Sequence, residues 1–339
     1  MKILFYSENK DISVGSYRIW SHDLNKYMLE CGFDSSQNIA PDFDKADELE
    51  KTDVIIFPKN ATIEGVDLIR KAYPNKLLGT TNTAADAPKV NCDFVIVGSL
   101  EEKASLSQYE NVFYFPLIER MYQPEEIYKK HEQKDNLVIG FHGNYSHISK
   151  LGLQNKAILT AIKEFSEEQR VTLKIITTPE AQLPSINNFP RWTTTVKAWD
   201  YNTVINDLIE CDIGIVPNIG YLSLNDLSNP EKNPSKGYFP SDYLIRLKNK
   251  SNAGRCFVFH QLGIPVITDL TPSNFHIMGS GECGHIVSNR QGWLNAFRDL
   301  ADHKKRQTIA DRAKEEFDRL YNPHDWAKRL YKQIEGIRK

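Results

Sequence analysis

Residues 249–269, NKSNAGRCFVFHQLGIPVITD, set a lysine, a serine, an asparagine and an arginine at the start of an apolar helical pattern. Ser251 or Asn252 can cap that helix, and Lys250 and Arg255 add two full charges beside it. Backbone N–H groups at a helix start point outward, and the helix dipole adds roughly half a positive charge there. The chemistry this suits is the binding of a phosphate or diphosphate. The same residues also read as an ordinary cap with solvated basic side chains.

Three other stretches carry chemistry-bearing side chains next to turns. In IGFHGNYSHISKLG (139–152) an apolar run ends in Gly-Phe-His-Gly-Asn. Gly143 lets a ligand approach the backbone, with Asn144 beside it. Lys150 can reach back from the following helix, and His142 is a titratable group that can act as base or donor. A tight turn with surface histidines is the alternative. In SENKDISVGSYRIW (7–20), Ser16, Tyr17 and Arg18 open a helix and suit the holding of a second substrate. An N-cap with a surface arginine reads equally well there, and no G-x-G-x-x-G is present. In TTNTAADAP (80–88), Asp86 is a candidate general base, or simply a turn former. The turn Trp199-Asp200-Tyr201 offers either a pocket for a nucleotide base or core packing by Trp199. No D-x-D element stands in a convincing loop, and no His/Asp/Glu group has metal-ligand spacing. A metal is therefore not expected.

The elements that must position these residues alternate in type. Apolar runs at 2–6, 53–58, 76–81, 93–99 and 112–116 read as buried strands, with helices near 17–31 and 62–73. Ser99 and Glu102 form a capping box for the next helix. Residues 117–136 are charged and weakly patterned, and read as a linker. The pattern then repeats, with strands at 137–143, 172–178, 212–218 and 265–269 and helices near 151–165, 201–210 and 252–262. A long irregular loop, 219–241, interrupts the second half; such loops are often functional. The tail, 293–338, reads as two or three helices. Strand–helix alternation implies parallel sheets covered by helices on both faces. Ligands of such sheets bind at the carboxyl ends of the strands, so a cleft between two such domains is the expected site.

Bulk properties narrow the classes. With 339 residues, the chain is long enough for two ordinary domains. Hydrophobic residues at 40% and charged residues at 25% are those of a soluble globular protein. A formal net charge of −2 gives no footing for a nucleic-acid partner. Cys31, Cys92, Cys211, Cys256 and Cys283 are scattered and odd in number, which argues for reduced thiols in a cytoplasmic protein. The start, MKILFYSENK, turns polar too soon for a signal peptide.

Taken together, WDYNTVINDLIECDIGIVPN, KSNAGRCFVFHQLGIPVITD and GECGHIVSN resemble the donor-binding half of GT-B glycosyltransferases. The likeness is greatest to the large retaining group called group 1 or family 4. ADRAKEEFDRLYNPHDWAKRLYKQI (310–334) resembles that family's closing helices, and CDFVIVGSLEEKASL (92–106) its last N-domain strand and helix. The resemblance implies an α/β fold of two Rossmann-like domains facing across a cleft. Residues 1–130 would bind the acceptor, 131–322 would bind the nucleotide-sugar donor, and a last helix at about 323–339 would pack back on the first domain. It also implies a hexosyltransferase-like enzyme that moves a sugar to a glycan or lipid-linked acceptor in bacterial surface polysaccharide synthesis. Counted back from Gly263, the family's two glutamates fall at Lys250 and Val258, and neither is acidic. The family's arginine and lysine after the first strand of the second domain fall at Asn144 and Lys150, so only the lysine persists. These departures leave the donor open, a CMP-sugar included, and the stereochemistry too.

In this reading Gly143, Asn144, Lys150, Lys250, Ser251, Asn252 and Arg255 hold the donor phosphate. Ser16, Tyr17 and Arg18 face the acceptor, and Asp86 or His142 is the base if the reaction inverts. No cofactor is expected. The tail, rich in Lys and Arg with Trp326 and Tyr331, suits peripheral contact with an anionic membrane at the inner face of the cell membrane. Its interleaved acidic residues also read as a solvated helix. Two other readings stand beside this one: a sugar-nucleotide epimerase of the same fold, and a non-catalytic scaffold subunit.

Overall fold

The computed structural model describes residues 1–7, 11–39, 46–59, 61–81, 87–119, 127–143, 156–177, 190–221, 245–247 and 253–338. The chain divides into two compact units, Met1–Glu119 with Tyr321–Lys339, and Arg120–Leu320.

The first unit runs β1 (Ile3–Ser7), α1 (Gly15–Tyr17), a π-helical segment (Arg18–Asp23), α2 (Leu24–Glu30), β2 (Ser35–Ile39) and α3 (Ala46–Lys51). It continues with β3 (Val54–Phe57), α4 (Ile63–Ala72), β4 (Leu77–Thr80), β5 (Phe94–Val97), α5 (Leu100–Ser105) and β6 (Val112–Tyr114). The strands form one parallel sheet in the order β2-β1-β3-β4-β5-β6. VIIF in β3 and FVIV in β5 are buried throughout, as a parallel sheet covered on both faces requires. Ile3, Phe5, Val54, Ile56 and Ile96 pack on one face with Leu24, Met28 and, from the last helix (Pro323–Ile337), Ala327, Leu330 and Ile334. Leu4, Ile55 and Leu78 pack on the other with Leu49, Val66 and Ile69. The Ser99 cap forms: its hydroxyl accepts from Glu102 N at 3.2 Å, while the Glu102 carboxylate turns back to Gly98 N at 3.3 Å.

The second unit runs β7 (Asn136–His142), α6 (Lys156–Glu168), β8 (Arg170–Thr177), β9 (Trp192–Ala198), α7 (Val204–Leu208) and β10 (Ile213–Val216). Then come β11 (Ile219–Tyr221), β12 (Ile245–Leu247), α8 (Gly254–Gln261), β13 (Val266–Asp269), α9 (Pro272–Ile277), β14 (His285–Val287), α10 (Arg290–Asp299) and α11 (His303–Leu320). Its main sheet is parallel, in the order β14-β13-β10-β7-β8-β9, and β11 and β12 form a small antiparallel pair. The core joins Phe141, Leu173, Ile175 and Ile215 to Ile162 and Phe165 of α6 and Trp293 and Phe297 of α10. Helix α8 lies close on the sheet because Gly214 has no side chain: a Cβ there would fall 2.7 Å from the Phe259 ring.

Besides the three-residue strands β11, which opens the stretch read as irregular loop, β12 and β14, two longer strands were not evident in the sequence, β2 (SSQNI) and β9 (WTTTVKA). Both are edge strands, and from Thr193 onward β9 is largely exposed, so neither needs an apolar run. The charged stretch read as a linker is, in its described later part, docked on the second unit. Lys129 N donates to Leu262 O at 2.9 Å, Lys129 Nζ to Ile209 O at 2.8 Å, and His131 Nε2 to Gly263 O at 2.9 Å. Polar side chains that bury themselves through hydrogen bonds carry no hydrophobic signature. Among the described residues no helix is long and apolar enough to cross a membrane.

Candidate functional site

Each sheet has one place where successive strands leave in opposite directions. In the second unit β8 lies on one side of β7 and β10 on the other, so the break falls between the carboxyl ends of β7 and β10. Such topological switch points are where open α/β sheets bind ligands. His142 ends β7 and Gly143 follows it, and Pro217 and Asn218 follow β10.

Arg255, in the first turn of α8, reaches over this point. Its guanidinium lies 5.4 Å from the Phe141 ring centre. Nη2 donates to Pro217 O at 3.2 Å and to Asn218 Oδ1 at 3.0 Å. Gly143 adopts φ +141°, and a Cβ on it would sit 3.4 Å from both Cδ and Nη1 of Arg255. The glycine therefore serves both the backbone turn and the passage of the arginine. Around Asn218 runs a buried polar network. Asn218 N donates to Asp269 Oδ2 at 2.6 Å, and Asn218 Nδ2 to Asn274 Oδ1 at 3.2 Å. Asn274 Nδ2 donates to Thr268 Oγ1 at 2.6 Å and to Asp269 O at 2.9 Å, and Thr268 Oγ1 donates to Val216 O at 2.7 Å. Thr271 caps α9 by accepting from Asn274 N at 3.2 Å.

His142 is 3% exposed and stands edge-on to Phe259, ring centres 5.2 Å apart. Burial pushes His260, near the far end of α8, down to about 3 and Cys256 up to about 12, so the helix interior holds a neutral imidazole and a neutral thiol. Just past β9, Trp199 N donates to Thr177 O at 2.6 Å, which extends the β8–β9 pairing to the start of the Trp199-Asp200-Tyr201 turn.

In the first unit the break lies between β1 and β3. Ser16 is half-buried and Tyr17 buried. Arg18 is 3% exposed: Nη1 donates to Ile12 O at 2.7 Å, and Nη2 forms a buried ion pair with Glu119. Its guanidinium thus braces the turn after β1, and the π-helical segment starts at the same residue, a feature often found at functional positions. Lys59, just beyond β3, holds φ +40°, with its N–H bound to Thr81 Oγ1 at 2.8 Å. A non-glycine residue in the left-handed region is strained and is held there by its surroundings.

Of the residues singled out in the sequence, the structure joins Gly143, His142 and Arg255 at one sheet edge, and Ser16, Tyr17 and Arg18 at one helix start. Asp86, Asn144, Lys150, Lys250, Ser251 and Asn252 lie outside the described residues. Asn218, Thr268, Asp269, Asn274 and Lys59 were not anticipated. The available signal was a polar residue directly after a buried strand (VPN, VITD, FPKN), which marks the carboxyl edge. Among the described residues no group of three or more His, Cys, Asp or Glu side chains is placed to hold a metal.

No family model and no curated protein sequence matches the chain. Solved structures match it along its whole length. Sucrose-phosphate synthase from Thermosynechococcus elongatus aligns with a TM-score of 0.63 at 13% identity, over 99% of this chain and 100% of that one. A glycosyltransferase from Rickettsia africae ESF-5 gives 0.63 at 10% identity over 98% of each chain. Anabaena HepE, solved in complex with UDP and glucose, gives 0.60 at 12% identity over 99% of this chain and 100% of that one. The chain therefore has the GT-B fold of these glycosyltransferases, an α/β fold of two Rossmann-like sheets, as the sequence led us to expect.

Proposed function

We propose that the chain is a glycosyltransferase that moves a sugar from a nucleotide-sugar donor to a glycan or lipid-linked acceptor. The observation that carries this reading is Arg255: a guanidinium pinned at the start of α8, directly over the switch point of the second sheet. A fold likeness that spans the whole chain and includes a protein solved with UDP and glucose supports it.

The chemistry follows from charge. Breaking the bond between sugar and nucleotide leaves negative charge on the phosphate. A fixed arginine and the outward N–H groups of α8 stabilise that charge without reorganising during the reaction. Donor binding is assigned to Gly143, Asn144, Lys150, Lys250, Ser251, Asn252 and Arg255. Ser16 and Tyr17 face the acceptor, with Arg18 and Glu119 holding their turn. Asp86 or His142 takes the acceptor proton in an inverting reaction. With fixed cations in that role the enzyme is metal-independent, and EDTA leaves turnover unchanged. Its place is cytoplasmic, at the inner membrane face, in bacterial surface polysaccharide synthesis, a role that rests on the sequence resemblance.

The test is a thermal-shift panel of UDP, GDP, ADP, dTDP and CMP on the wild type, Arg255→Ala and Lys250→Ala. At about 100 times its dissociation constant, the cognate nucleotide adds roughly 2.7 kcal/mol of stability. One nucleotide stabilises the wild type and neither variant to the same degree. If none of the five shifts the wild type, the enzyme reading falls and the scaffold reading replaces it.

A further inference from the structure

Thr177 is the last residue of β8, at the carboxyl edge of the second sheet. It is 1% exposed, and its hydroxyl oxygen is buried with no hydrogen-bond partner among the described residues. Side chains two apart on a strand share a face, so Thr177 continues the face on which Leu173 and Ile175 pack into the core. A valine there would have the same shape and the same preference for a strand, without a polar atom to bury. A buried hydroxyl with nothing to bond is destabilising, and it calls for a partner that the folded chain does not supply.

The position of Thr177 indicates what that partner is. Strand β7 lies beside β8, and Gly143 N, just past its end, donates to Ile176 O at 3.1 Å. The same glycine lies against Arg255. Thr177 therefore stands about one strand spacing, ~4.8 Å, from the strand end that Arg255 overhangs. On the other side of the switch point, the ends of β10 and β13 are filled by Asn218, Asp269 and Asn274, which bond one another. A hydroxyl both donates and accepts but carries no charge, so it matches the neutral end of a nucleotide and not its phosphate.

We propose that the Thr177 hydroxyl is a hydrogen-bonding contact for the nucleoside end of the donor, and that a ligand whose phosphate lies at Arg255 runs along the sheet edge toward β8 and β9. This rests on the nucleotide-sugar reading above. Bulk water does not compete for a bond made at so buried an atom, and the ligand supplies what the protein lacks there.

The test uses the full chain and the nucleotide of the five above that binds the wild type, titrated calorimetrically at several salt concentrations. Thr177→Val keeps the shape and removes the hydroxyl. Without ligand it should melt at or above the wild-type temperature, because a buried polar atom with no protein partner is gone. Its nucleotide dissociation constant should rise about tenfold, as for the loss of one buried hydrogen bond. The dependence of binding on salt should stay that of the wild type, since the lost contact is neutral. Thr177→Ser keeps the hydroxyl and should restore most of the affinity. If Thr177→Val binds as the wild type does, the proposal is overturned while the nucleotide reading stands. A lower melting temperature with unchanged binding would assign the hydroxyl to an interior water and overturn it too. A weaker salt dependence in Thr177→Val would place the hydroxyl at the phosphate, against the proposal. If Thr177→Val does not fold, Thr177→Ala decides by the same affinity and salt readings. A wild type that binds none of the five nucleotides removes both readings.

Discussion

Arg306 Nε lies 3.3 Å from His131 Nδ1, and Arg306 is fully buried. The same guanidinium donates to Leu300 O at 2.7 Å, Ala301 O at 2.9 Å and Glu132 O at 2.8 Å. One side chain thus ties the segment after residue 127 to the turn between α10 and α11. Since His131 Nε2 donates to Gly263 O and Nδ1 accepts from Arg306, the ring is neutral, with its proton on Nε2.

This pairing makes the second unit sensitive to acid. Burial, and then the Arg306 and Lys129 charges, push His131 down to about 4. The unfolded chain takes up a proton near pH 6.5 and the native chain does not, so stability is complete above pH 6.5 and falls as pH drops toward 4. Two to three units amount to on the order of 3 kcal/mol. His260, at about 3, adds in the same direction. Urea unfolding between pH 8 and 4.5 should show the loss. His131→Gln should start less stable yet lose less over that range, and an unchanged slope would refute the assignment.

Arg306→Leu should be among the most damaging single changes. It leaves the carbonyls of Leu300, Ala301 and Glu132 and the His131 ring nitrogen without their donor. The expected cost is about 3 kcal/mol or more, read as the shift of the denaturant midpoint at pH 8. A loss below about 1 kcal/mol would mean that water replaces the arginine.

Gly214→Ala tests how α8 reaches the sheet. The added methyl meets the Phe259 ring, which also packs against His142. Overpacking of this kind costs typically 1–3 kcal/mol. Because α8 also carries Arg255, nucleotide affinity should fall along with the melting temperature.

Gly143→Ala separates the turn from the helix. Its φ of +141° is open to glycine and strained for alanine, at a cost of about 1–3 kcal/mol. The methyl also lies against Arg255 Cδ and Nη1, so nucleotide binding should weaken more than that of a control substitution of equal stability cost elsewhere in the unit. Equal binding in both variants would separate Gly143 from the ligand.

What the sequence alone determined is the alternation of buried strands with helices, and with it two parallel sheets. Runs such as VIIF, FVIV and IGIV have one physical use, a strand covered on both faces, and they lie where their patterns indicate. The cap at Ser99 was legible because its interaction is local in the chain. Arg255 was legible as a charge at a helix start, but not as a buried one. Tertiary structure decided the rest. The edge strands β2 and β9 form because a neighbour supplies their hydrogen bonds, not because their side chains demand burial. Asn218 and Asn274 stand 56 residues apart and become partners through the adjacency of β10 and β13. His131 and Arg306, 175 residues apart, look like surface residues in sequence and become an interior pair. Hydrophobic burial leaves a periodic trace in one dimension. A buried polar contact leaves none, because its stability depends on a partner that only the folded chain brings near.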